Sequence, residues 1–229
     1  MNIIALDSST EVLSVALAVE NEVFYSEVDA ASRHSELLME CADNLCKTAS
    51  LSPANLNMAA CMKGPGSFTG LRIAYSAAKG LSLALGIPIK AVPTLDCIAH
   101  SYTAWPGIII PAIDAKKGSF FAALYRGTRR LSGYLDAPPE TIAELIGKSL
   151  FFPEECVFLT GPGAELLFSR LTAFSNPGQI VIDPLFKKGR ARELLEIAKS
   201  DIVINADDLN SGPVYIRKSD AELVRIKAG

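Results

Sequence analysis

The sequence predicts an α/β protein built as two copies of one βββαβα unit. Three observations carry that expectation. Residues 3–17, IIALDSSTEVLSVAL, are echoed by residues 110–124, IPAIDAKKGSFFAAL, and a shift of 107 places Asp7 on Asp114 and Leu17 on Leu124. Each half then repeats an apolar run followed by a Gly-Pro-Gly turn: AACM before GPGS at 64–67, and VFLT before GPGA at 161–164. Between these runs lie stretches with the 3.6-residue apolar period of amphipathic helices.

The elements follow in chain order. IIALD is an apolar strand ending in a carboxylate, a polar turn follows, and a second apolar strand runs to Leu17. EVFYSEV from Glu22 reads as the third strand. HSELLMECADNLCKTA carries Leu37, Leu38, Cys41, Ala42, Leu45 and Ala49 on one helical face. After the AACM strand, GLRIAYSAAKGLSLALG repeats Leu71, Ala74, Ala78, Leu81 and Leu85 and stops at Gly86-Ile87-Pro88. In the second half RLSGYL from Arg130 is the third strand, and PPETIAEL, AELLFSRLTAF and ARELLEIAKS are helices. The split falls near Trp105-Pro106-Gly107, giving subdomains 1–105 and 106–212, with 213–229 returning to the first.

Composition bounds the function. A chain of 229 residues with 49% hydrophobic and 21% charged residues can bury a full core without staples. A formal net charge of −3 gives no global attraction to nucleic acid; cations gather only at Arg126, Arg129 and Arg130 and in KKGRAR at 187–192. Each cluster reads first as a solvated surface, and second as a phosphate contact. Five cysteines (Cys41, Cys46, Cys61, Cys97, Cys156) without CxxC spacing suit a reducing cytoplasm. The N-terminus lacks a basic leader region and carries Asp7 inside its apolar run, and no 18-residue uncharged apolar run occurs. The expectation is a cytoplasmic protein without a membrane partner.

Two copies of this unit, each with an Asp in its first turn, resemble the actin-like ATPase and sugar-kinase superfamily. That resemblance implies a cleft between the halves for ATP and a metal, with Asp7, Ser9, Thr10 and Asp114 as nucleotide-side candidates. A carboxylate at a strand end can orient metal-bound water. It can equally cap its own turn, since Asp-Ser-Ser-Thr is a good Asx-turn. LDSST, RHSELL at 33–38, GPGSFTGLR at 64–72, IDAKKG at 113–118 and PVYIRKSDAE at 213–222 occur in the order seen in the TsaB (YeaZ) family of tRNA threonylcarbamoyladenosine biosynthesis. The resemblance covers nearly the whole chain. It is loosest at Ala115-Lys116-Lys117, at Ser119-Phe120-Phe121 and over 135–200.

The resemblance implies an accessory subunit with no catalytic residues and no metal of its own. It would act beside a TsaD-like transferase that modifies the adenosine next to the anticodon, together with a TsaE-like ATPase. Alone it would form a homodimer, and tRNA would be contacted through the complex. ATP or ADP would bind only at an interface with a partner. TsaD-like subunits hold a metal through two histidines four residues apart on one helix; here His34 and His100 have no such neighbour. His34 reads as a polar contact near a helix start. An actin-like small-molecule kinase is the alternative, and a metallopeptidase-like protein a more distant one.

GPGSFTG is not a phosphate loop, because it lacks the closing Gly-Lys-Ser/Thr. Helix-end N–H groups alone contribute about 0.3–1 kcal/mol to anion binding, against roughly 4 kcal/mol for even millimolar affinity. Gly64, Gly66 and Gly70 read as structural, with Ser67 or Thr69 capping a helix that begins at Gly70. That helix carries small residues around nearly its whole circumference, so it is expected to be covered on two sides. Leu37, Leu38, Cys41 and Leu45 with Ala74, Ala77, Ala78 and Leu81 are the expected partner stripe.

Overall fold

A computed structural model describes residues 1–171, 179–200 and 211–216. In chain order the first half holds β1 (Ile3–Asp7), β2 (Val12–Val19), β3 (Glu22–Asp29), α1 (His34–Thr48), β4 (Met58–Gly64), α2 (Phe68–Leu85), β5 (Ile89–Pro93) and α3 (Thr94–His100). The second half holds β6 (Ile108–Asp114), β7 (Phe120–Ala122), β8 (Tyr125–Arg126), β9 (Arg129–Arg130), β10 (Leu135–Ala137), α4 (Pro139–Ser149), β11 (Cys156–Thr160), α5 (Ala164–Leu171), β12 (Gln179–Ile182) and α6 (Ala191–Ser200).

The two sheets share one plan. The first runs β3-β2-β1-β4-β5 and the second β10-β7-β6-β11-β12, so each orders its strands third, second, first, fourth, fifth. The first three strands are antiparallel and the last two join parallel through helical crossovers. This is the duplicated actin-like fold. IIALD is buried along its whole length because helices cover both faces of its sheet, which demands a nearly continuous apolar run.

Repeat two departs from its expected third strand. Arg126 pairs with Arg129 across a two-residue Gly127-Thr128 turn, a short hairpin that consumes the start of RLSGYL. Gly127 has φ 56°, as such turns require. The third strand therefore begins only at Leu135. The continuation of AELLFSRLTAF past Leu171 lies outside the described residues.

Each half also lends its last helix to the other. Leu95, Ile98 and Ala99 of α3 pack with Ile109, Ile113 and Phe158 of the second sheet. Ala191, Leu194, Leu195 and Ala198 of α6 pack with Ile3, Ala5, Ala16, Met58 and Met62 of the first. The helix of ARELLEIAKS is thus second-half by sequence and first-half by packing, so a division at 105/106 does not follow the cores. The outer layers are α1 and α2 on the first sheet and α4 and α5 on the second. No helix among the described residues is long and apolar enough to cross a membrane.

Candidate functional site

The cleft between the halves has a volume of about 720 Å³. On its first-half side lie Ser9, Thr10, His34, Gly66, Ser67 and Phe68; on the other lie Asp114, Lys116, Phe121, Pro162 and Leu166. Ser9, Thr10 and Asp114, three of the four nucleotide-side candidates, are therefore brought together. Asp7 is not among them, a correction to the expected pair of strand-end carboxylates.

The reason is local hydrogen bonding. Asp7 has no exposed surface. Its Oδ1 accepts the Ser9 N–H at 2.9 Å and the Ser9 hydroxyl at 2.7 Å, while Oδ2 accepts the Arg190 N–H at 3.0 Å. It serves as the Asx-turn acceptor. Burial raises its pKa, against the lowering pull of those donors. Asp114 occupies the matching place in repeat two but is partly exposed. It accepts the Lys116 N–H at 2.8 Å and the Lys116 ammonium at 2.7 Å. Burial opposes ionisation of Asp114, but the Lys116 bonds prevail and hold its pKa below the ordinary value.

GPGSFTGLR is a junction of backbones. Ser67 caps α2, accepting the Gly70 N–H at 3.2 Å, so the helix begins at Phe68, two residues earlier than expected; Thr69 is exposed. Ser67 N–H donates to the Ser9 carbonyl at 2.7 Å, and the Ser8 hydroxyl donates to the Gly70 carbonyl at 2.7 Å. A side chain at Gly70 would run into the Ser8 carbonyl, and a Cβ at Gly64, where φ is 106°, would lie 2.6 Å from the Val214 carbonyl. The latter contact comes from a short C-terminal strap. Val214 N–H donates to the Lys63 carbonyl at 2.7 Å, Tyr215 stacks on Phe68 at 4.9 Å, and Arg72 Nε donates to the Tyr215 hydroxyl at 3.0 Å. Within PVYIRK, Val214 and Tyr215 thus meet the first half; 217–229 lie outside the described residues.

The expected partner stripe is mostly interior. Leu38, Cys41, Leu45, Ala74 and Ala78 are buried against the first sheet, and Leu37, Ala77 and Leu81 pack half-buried beside them. Small residues here let α1 and α2 approach their sheet closely. The outward side of these helices instead presents Met39, Ser76, Gly80, Leu83 and Ala84, with Leu83 76% exposed.

The basic clusters are largely committed internally. Arg126 pairs with the buried Glu155 at 2.7 Å, and Arg130 lies 3.6 Å from Asp96. Lys188 pairs with Glu193 at 3.0 Å. Arg190, read from sequence as part of a solvated run, is only 2% exposed and is among the bulkiest buried side chains of the described residues. The signal missed was its spacing of three from Glu193, a helical neighbour pair. His34 Nε2–H donates to the Thr10 carbonyl at 2.9 Å, and His100 lies 3.3 Å from Glu196. Among the described residues no three His, Cys, Asp or Glu side chains are placed to hold a metal ion.

The sequence profile of the TsaD family, tRNA N6-adenosine threonylcarbamoyltransferase, matches residues 22–209. The Bacillus subtilis tRNA threonylcarbamoyladenosine biosynthesis protein TsaB is 35% identical over 127 residues, 55% of this chain and 56% of that protein. The Escherichia coli TsaB is 33% identical over 128 residues, 55% of each. The match thus spans about half the length of these curated relatives. A crystal structure of a protein with similarity to peptidase YEAZ from Pseudomonas aeruginosa superposes with a TM-score of 0.80 at 25% identity, covering 94% of this chain and 99% of that one. YeaZ from Pseudomonas aeruginosa gives a TM-score of 0.70 at 26% identity over 87% of this chain and 92% of that one. With its duplicated fold, its GPGSFTGLR junction and these matches, the chain belongs to the TsaD family and, within it, to the TsaB/YeaZ group.

Proposed function

We propose that this chain is a non-catalytic partner subunit, required beside a TsaD-like transferase for N6-threonylcarbamoylation of the adenosine next to the tRNA anticodon. The observation that carries the reading is the sealed Asp7. The first-repeat carboxylate that a working nucleotide cleft would use is buried and fully hydrogen-bonded inside its own fold. Family membership supplies the pathway, and the outward side of α1 and α2, with Met39 and Leu83 exposed, supplies a surface for the partner. A standard interface removes about 800 Å² per partner, within reach of two adjacent helices. The same face would serve a homodimer in the absence of the transferase. A TsaE-like ATPase and the tRNA would join through the complex. ATP or ADP would bind where a partner completes the cleft around Ser9, Thr10 and Asp114.

Reconstitution tests this reading. The chain alone should neither modify tRNA nor turn over ATP, while a TsaD-like chain from the same organism should co-purify with it and depend on it for product. Metal-dependent turnover by the isolated chain, lost on Asp7→Ala, would overturn the accessory role and favour the kinase alternative.

A further inference from the structure

Between two packed layers an apolar seam is the ordinary expectation, yet a buried polar cluster lies here, centred on Arg190. Its main-chain N–H donates to Asp7 Oδ2 at 3.0 Å, and the next N–H, of Ala191, donates to Ser14 Oγ on β2 at 3.0 Å. Both bonds fasten the start of α6 to the first sheet. The guanidinium turns toward the second. Its Nη2 donates to Thr160 Oγ1 at 3.3 Å, at the end of β11, and lies 3.6 Å from Asp183 Oδ2, just past β12. Its Nη1 donates to Ser101 Oγ at 3.3 Å, where α3 ends, and lies 3.5 Å from Glu193. The partners are themselves engaged. Thr160 and Tyr102 hydroxyls both donate to Asp183, and Ser101 donates to Glu193.

One residue thus holds strand ends of both sheets and both exchanged helices, with Arg190 and Asp183 nearly inaccessible to water. We propose that Arg190 is a bolt that sets the angle between the two halves, so that the cleft has one width before any ligand or partner arrives. The physical reason is steepness. Relative rotation of the sheets would pull the guanidinium from Thr160 and Asp183 or the main-chain N–H from Asp7. Each would then be left buried without compensation, which is far costlier than losing an exposed pair. Buried ionic clusters of this kind can select one arrangement among several that an apolar seam would tolerate. The inference concerns this chain alone and stands whatever partner the chain has.

Distance measurement tests it. Spin labels carried by non-natural amino acids at Ser32 and Glu140, both exposed and on opposite halves, report the angle between them. The parent protein should give one narrow distance distribution. Arg190→Met, which keeps the stem but removes the fork, should broaden it. Should Arg190→Met fail to fold, the double variant Tyr102→Phe with Thr160→Val decides: it removes the Thr160 acceptor of Arg190 and the two hydroxyl donors of Asp183 without stranding a cation. It should broaden the distribution while far-UV circular dichroism stays unchanged. A broad distribution in the parent overturns the proposal, and so does a folded variant that melts earlier yet keeps the narrow peak.

Discussion

Single residues decide signs that residue type alone does not. Gly70 and Gly80 both lie in α2. Ordinarily Gly→Ala in a helix gains about 0.5–1 kcal/mol. At Gly80 a Cβ meets nothing within 4 Å, so Gly80→Ala should stabilise by about that much in urea titration. At Gly70 it meets the Ser8 carbonyl, so Gly70→Ala should destabilise by roughly 1–3 kcal/mol. Glu193 allows a prediction in pH. Burial opposes its ionisation, but Ser101 and the Arg190 and Lys188 charges hold its pKa below the ordinary glutamate value. A depressed folded pKa gives stability that is present above the unfolded value of about 4.3 and lost as pH falls through the folded one. Glu193→Gln should therefore be less stable than the parent at neutral pH, with the gap closing below pH of about 4; a gap constant in pH would show that the carboxylate charge contributes nothing. Asp7, pushed up by burial, contributes with the opposite sign, its share lost as pH rises through its folded pKa.

At the scale of elements, α1 and α2 separate what faces the sheet from what faces outward. Ala78→Glu buries an unpaired carboxylate at a position with no exposed surface, and the melting transition should be lost or strongly lowered. Met39→Glu and Leu83→Glu change exposed positions and should melt within a degree or two of the parent, because substitutions on open surface alter stability by only about 0.5 kcal/mol. If this side of the helices meets the transferase, those two variants should lose co-purification while keeping their fold. Normal binding by both would move the partner surface elsewhere. The amphipathic stripe was readable in the sequence. Its direction was not, since small residues on every side of α2 suit close packing against a sheet as well as against a partner.

The whole molecule is held by exchange of helices between its halves. Leu194 of α6 is fully buried against the first sheet although it follows the second in sequence. Leu194→Ala should cost about 2–5 kcal/mol, and hydrogen exchange should quicken in β1, β2 and β4 as well as in α6. Exchange quickened only in second-half strands would contradict the packing. The duplication and the longer helices were legible in the sequence because they rest on an apolar period, on turn residues and on the recurrence of Asp7 as Asp114. The short β5, α3 and β12, which span too few residues to show a period, and the order of strands within each sheet were not. Membership of the TsaB/YeaZ group was legible for the same reason, since GPGSFTGLR answers to contacts that few other residues satisfy. Whether Asp7 faces a cleft, whether Arg190 meets water and which core receives α6 were decided only by the tertiary structure. Those outcomes depend on partners up to 183 positions away in the chain, as Arg190 is from Asp7. A carboxylate or a guanidinium has the same local signature whether such a partner or solvent satisfies it.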